Sequence, residues 1–77
     1  MQKIDKDKLA IDIGRRITRK CKERGINQKT LAQQTNLTEA GISRYISGQR
    51  LPRLDILMLL ADALHCSVSY LLYGIEM

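Results

Sequence analysis

The sequence predicts an all-α fold of five helices. Apolar residues recur along it at intervals of three and four rather than two. Five segments each lie between a residue suited to start a helix and one suited to end it. No segment reads as a credible strand.

The first helix starts near Asp5 or Asp7, either of which can cap it, and runs to Arg24. Leu9, Ile13, Ile17 and Cys21 recur every four residues and form its buried stripe. Arg24 places a cation in the last turn, and Gly25 can then turn left-handed. Asn27 caps a second helix over about residues 28–34. Thr38 caps a third, which ends before Gly48. The loop Gly48-Gln49-Arg50-Leu51-Pro52-Arg53 follows. A fourth helix spans Leu54 to Leu64, with Ile56, Leu57, Leu59, Leu60, Ala61 and Leu64 largely buried. His65 stands where the chain leaves that helix and is read as a cap, not as a catalytic group. Ser67 opens a short fifth helix through Tyr73, closed by Gly74.

The second and third helices carry the most information. Leu31, Ala32, Thr35, Leu37, Ile42 and Tyr45 fall where a helix-turn-helix buries its inner faces, and Ala32 is small where the two helices must approach. Asn36 sits at the turn, where one residue needs φ > 0, and asparagine tolerates that better than most residues with a side chain. This geometry has one dominant use: it presents the N-terminus of the second of the two helices to the major groove of DNA.

Seventy-seven residues suit one small domain over 1–77, with 1–8 a polar N-terminal segment and the helix-turn-helix over about 28–47. Phenylalanine and tryptophan are absent, so aliphatic side chains must build the core. No apolar run approaches the roughly 20 residues of a membrane span. The start of the chain is too polar for a secretory signal, which makes the cytoplasm the expected location. Cys21 and Cys66 are read as small buried residues. With one histidine and no C-x-x-C pair, no metal site can be written, and no cofactor is implied.

The charge is unevenly placed. Residues 1–14 are neutral in sum, residues 15–53 carry ten basic groups against Glu23 and Glu39, and residues 54–77 carry three acidic groups and no basic one. A basic body with an acidic end suits a protein that meets a polyanion on one side. Paired catalytic carboxylates, an activated nucleophile and a phosphate-cradling glycine loop are all missing, so an enzyme is not expected.

Residues 13–73, about four-fifths of the chain, resemble the Cro/repressor-type helix-turn-helix family, also called XRE-like. The likeness runs through Ile13-Gly14, Gly25 before the Gln28 helix, Leu31-Ala32, Ile42-Ser43-Arg44, Gly48 and Pro52, Leu60-Ala61-Asp62-Ala63-Leu64, and Ser67 with Leu71-Leu72. It implies a five-helix lambda-repressor-like domain and a DNA-binding regulator of transcription, a repressor of phage or mobile-element type. It also implies a DNA-reading face at Thr38, Glu39, Ala40, Ser43 and Arg44. Asn27, Gln28 and Lys29, with Ser47, Gln49, Arg50 and Arg53, match positions that hold the DNA backbone. Within the reading face, Arg44 can fork onto guanine, Glu39 can accept from cytosine, and the Ala40 methyl suits thymine.

Many relatives pair an arginine in helix 1 with a glutamate in helix 3, at positions held here by Cys21 and Ile46. An apolar pair in place of a partly buried ion pair can be neutral or stabilising. One recognition helix reads few base pairs, so a homodimer on a pseudo-palindrome is expected. Leu72, Tyr73, Ile75 and Met77 are its candidate interface. The alternative is a protein-interaction module, antitoxin-like, with DNA binding secondary.

Overall fold

The computed structural model describes residues 3–75. Its helices are α1 (Lys6–Arg24), α2 (Gln28–Thr35), α3 (Glu39–Ile46), α4 (Leu54–Leu64) and α5 (Val68–Tyr73), with no strand among the described residues. None of these helices is long and apolar enough to cross a membrane.

Each start is fixed by a local polar group, except that of α4. The Asp5 carboxylate accepts from the amides of Asp7 and Lys8, both at 3.1 Å. Asn27 Oδ1 accepts from the Thr30 amide at 2.8 Å, Thr38 Oγ1 from the Gly41 amide at 3.0 Å, and Ser67 Oγ from the Tyr70 amide at 2.9 Å. These bonds satisfy amides that the first turn of a helix leaves without a partner. Arg53 precedes α4 and makes no side-chain cap bond.

The ends follow the expected chemistry. Gly25, Asn36, His65 and Gly74 are all left-handed, at φ of 68°, 58°, 55° and 75°. Asn36 turns the chain between α2 and α3 while its amide bonds back to the α2 carbonyls, so the helix-turn-helix angle is set at this residue. Helix α2 runs to Thr35, one residue past the expected end. The Thr35 hydroxyl is buried but donates to the Leu31 carbonyl at 2.8 Å, so it stays inside the helix at little cost.

Thirteen buried residues form one continuous core, drawn from all five helices. Its largest fully buried side chains are Ile13, Ile17, Leu31, Ile42, Leu60, Leu64 and Leu71. Helix α1 packs against α3, α4 and α5, and α2 packs against α3 and α4. The α1–α3 crossing is backbone-close. A Cβ on Gly14 would lie 2.2 Å from the Ile46 carbonyl oxygen, which no side chain can meet.

Two expectations need correction. Leu59 is exposed, because α4 buries the stripe Leu57, Leu60, Ala61 and Leu64, and Leu59 lies about 160° round the helix from Leu57. Cys66 is only half-buried, since it follows the left-handed turn at His65 instead of lying inside a helix. Cys21 is buried, and burial raises its thiol above the ordinary range, which keeps it protonated and unreactive.

Candidate nucleic-acid interface

The exposed side of α3 is built by register. Ile42 and Tyr45 turn into the core, which leaves Glu39, Ala40, Ser43 and Arg44 facing solvent. Thr38 is exposed too, but its hydroxyl oxygen already accepts the Gly41 amide. Its O–H remains free to donate, so it can serve as cap and contact together. The amides of Glu39 and Ala40 make no internal bond among the described residues, as expected for the first turn of a helix.

The flanks carry the backbone candidates. Asn27, Gln28 and Lys29 are exposed at the start of α2. The Asn27 carboxamide is used in capping, while the amides of Gln28 and Lys29 have no acceptor among the described residues. Two free amides beside a lysine, at the positive end of the helix dipole, suit a phosphate. After α3, the amides of Gln49 and Arg50 both donate to the Arg44 carbonyl, at 3.0 and 3.3 Å, and Ser47 Oγ donates to the same oxygen at 3.2 Å. Three candidate contacts are thereby tied to the backbone of a fourth. Arg53 lies within 3.6 Å of Asp55, both well exposed, a pair too solvated to withhold it from a phosphate.

The basic block does not all face outward. Arg16 Nη1 donates to the carbonyls of Leu71 and Leu72, at 3.0 and 2.9 Å, closing the end of α5. Arg24 Nη1 donates to the Ala63 carbonyl in the last turn of α4. Lys20 is buried, with Nζ 4.5 Å from the centre of the Tyr70 ring and 3.5 Å from Glu23. These three residues stand four apart along α1 and form an inward stripe that holds α4 and α5. Their spacing was visible in the sequence, but which side of α1 was covered was not.

Apolar exposure is concentrated in the C-terminal half. Tyr73 is 68% exposed and Ile75 52%, while Leu72 is half-buried. Met77 lies outside the described residues. Sequence reasoning missed a second patch on α4, where Leu54 is 64% exposed, Met58 58% and Leu59 45%. Met58 and Leu59 border an open groove of about 760 Å³ with Cys66 and Val68, rimmed by Asp55 and Asp62.

Among the described residues, no group of three or more His, Cys, Asp or Glu is placed to hold a metal ion. Comparison with curated protein sequences gives no match. Solved structures do match. The restriction-modification controller protein C.AhdI from Aeromonas hydrophila is 27% identical over 80% of this chain and 94% of its own, with a TM-score of 0.77. The P22 c2 repressor, solved with a synthetic operator, is 32% identical over 82% of this chain and 96% of its own, with a TM-score of 0.77. A hypothetical transcription factor from Neisseria shares the fold, with a TM-score of 0.81 at 21% identity over 94% of this chain and 83% of its own. The helix-turn-helix family model HTH_3 matches residues 17–71, which takes in the turn at Asn36, the exposed side of α3 and the two helices behind them, and the chain belongs to that family.

Proposed function

We propose that the chain is a sequence-specific, double-stranded-DNA-binding repressor of phage or mobile-element type that reads the major groove with α3 as a homodimer. The coarser statement, a DNA-binding transcriptional regulator and not an enzyme, rests on family membership and on likeness to a controller protein and a repressor. The observation that carries the finer reading is the exposed α3 surface of Glu39, Ala40, Ser43 and Arg44. It lies between the free amides of Gln28 and Lys29 and a loop tied to the Arg44 carbonyl.

In this reading, Arg44 forks onto guanine O6 and N7, and Glu39 accepts from cytosine N4. Glu39 repels phosphate, so its place at the front of α3 makes sense as a discriminator. Thr38 and Ser43 donate at the edges of the same site. Asn27, Gln28, Lys29, Ser47, Gln49, Arg50 and Arg53 fix register on the backbone. Two protomers with recognition helices about 34 Å apart would read one face of a pseudo-palindromic duplex. Their contact is proposed in the C-terminal half, at Leu72, Tyr73, Ile75 and Met77 or across the α4 groove.

Selection of bound sequences from random duplex DNA, followed by a salt titration on the winner, tests the reading. With roughly five phosphates held per protomer, log K should fall against log salt with a slope of about −0.9 per contact, near −9 for the dimer. Failure to enrich any sequence at low salt would overturn it. Tyr73→Glu with Ile75→Glu, and separately Met58→Glu with Leu59→Glu, should leave at least one variant monomeric by sedimentation. A wild-type chain that sediments as a monomer both alone and on the duplex would overturn the homodimer and make a stoichiometric non-self partner the better explanation of the α4 groove, and a dimer that neither variant breaks would overturn the placement of its contact.

A further inference from the structure

The flank of α1 that faces α5 holds a cleft with no part in the helix-turn-helix. Asp12, Arg15, Arg16, Arg19, Tyr70 and Gly74 line about 250 Å³ of it. Gly14 is the residue beneath α3. At about 100° per residue, Arg16 lies about 160° round α1 from it, so the cleft opens away from the recognition helix.

Three guanidinium groups share this space with one carboxylate, a local charge of +2. Arg16 is held in place by the α5 carbonyls through Nη1, which leaves its Nε–Nη2 edge to other partners. That edge lies beside Gly74. A Cβ there would sit 3.4 Å from Nε and 3.5 Å from Nη2, so the missing side chain keeps the fork open. Such an edge meets two oxygens of a phosphate side by side. The side chains of Arg15 and Asp12 make no hydrogen bond or ion pair among the described residues. Among the described residues the Arg19 side chain is engaged only by Glu23 at 3.5 Å, an exposed pair that exchanges easily.

Tyr70 supplies the independent observation. It lines the cleft but is only 4% exposed, and its buried hydroxyl has no hydrogen-bond partner among the described residues. A buried hydroxyl without a partner is unfavourable, so a small shift of the ring that brings it to a ligand oxygen in the cleft would be favoured.

We propose that this cleft binds a small hydroxylated phosphate monoester. The phosphate, with about −1.5 to −2 charges at neutral pH, balances the arginines. Asp12 can only accept, so it selects a ligand that also carries a donor, such as a hydroxyl. The cleft volume is near the lower bound of ligand pockets, which fits a molecule of a few carbons.

Titration of the isotope-labelled protein with glycerol phosphate tests this by nuclear magnetic resonance, against sodium sulfate, inorganic phosphate and glycerol at matched ionic strength. Saturable shifts are expected at the Gly74 amide and the Nε–H groups of Arg15, Arg16 and Arg19, with binding at least tenfold tighter than for sulfate. Asp12→Ala should bring glycerol phosphate and inorganic phosphate to equal affinity, because the ligand hydroxyl loses its acceptor. Arg15→Gln with Arg19→Gln should weaken it at least tenfold while the rest of the amide spectrum stays in place. Equal binding of glycerol phosphate and sulfate would mean an adventitious ion only and overturn the proposal, as would the absence of saturable shifts at Gly74. If the Arg15, Arg19 variant instead loses duplex binding, the phosphate held there belongs to the DNA backbone, and the small-ligand site is wrong.

Discussion

Two sets of basic residues from the same stretch of chain do opposite work. Arg16, Lys20 and Arg24 turn inward from α1, onto the carbonyls and the aromatic ring of α4 and α5. Lys29, Arg44, Arg50 and Arg53 turn outward around α2, α3 and the loop. Arg16 and Arg24 complete the ends of helices whose own hydrogen bonding runs out, and Lys20 lies against the Tyr70 ring. The outer set is left in water, where its strongest available partner is a polyanion. Net charge therefore overstates the surface offered to DNA, because three of the ten positive groups in residues 15–53 are committed within the fold. Substitutions in the inner region should change stability with little effect on sequence preference, and those in the outer region should do the reverse.

The largest expected effect lies in the inner region. Cys21 is buried and Ile46 half-buried against the core. Cys21→Arg or Ile46→Glu alone should cost roughly 3–5 kcal/mol, the scale of an orphaned buried charge, reduced where the side chain reaches water. Both together should recover much of the loss. A double-mutant cycle in chemical denaturation measures the coupling, and a value near zero would mean the two side chains do not face each other.

Gly14→Ala comes next. The new methyl would collide with the Ile46 carbonyl, a backbone atom that cannot move alone. The cost should reach the top of the roughly 1–3 kcal/mol range for overpacking or exceed it. Gly25→Ala provides the contrast: nothing lies within 4 Å of the added Cβ, so only the left-handed φ of 68° is penalised, about 1–2 kcal/mol. Similar melting temperatures for the two variants would show that the α1–α3 crossing can yield.

Arg16→Ala and Arg44→Ala compare the two basic sets directly. Arg16→Ala loses two carbonyl bonds to a charged group, about 1.5–3 kcal/mol of stability before allowing for its partial exposure, and should keep operator preference. Arg44→Ala should keep the melting temperature and lose about 1–3 kcal/mol of binding with relaxed choice at one base pair. Gln28→Ala should weaken all duplexes alike. Loss of specificity in the Arg16 variant at temperatures where it is folded would break the division between the regions.

The smallest effect concerns His65, left-handed at φ 55° with its amide on the α4 carbonyls. His65→Gly should stabilise by under about 1 kcal/mol, since relief of the left-handed strain is partly offset by a freer unfolded chain. A lower melting temperature would mean the imidazole itself makes a contact that matters.

What the sequence determined by itself was local. Asp5, Asn27, Thr38 and Ser67 cap their helices because a short polar side chain can reach amides two or three residues on. Gly25, Asn36 and Gly74 turn left-handed because they meet little steric resistance there. The exposed side of α3 was legible for the same reason: Ile42 and Tyr45 fix the buried side, and the helical period assigns the rest. Tertiary structure decided what depends on which helix covers which side of another. It turned Arg16, Lys20 and Arg24 inward, since charge alone does not say whether a carbonyl or a phosphate is waiting. It made Gly14 a contact rather than a flexible point, and it left Leu54, Met58 and Leu59 uncovered although their composition matches the core. Burial is a property of neighbours distant in sequence, and a period of 3.6 residues names a stripe without naming what lies against it.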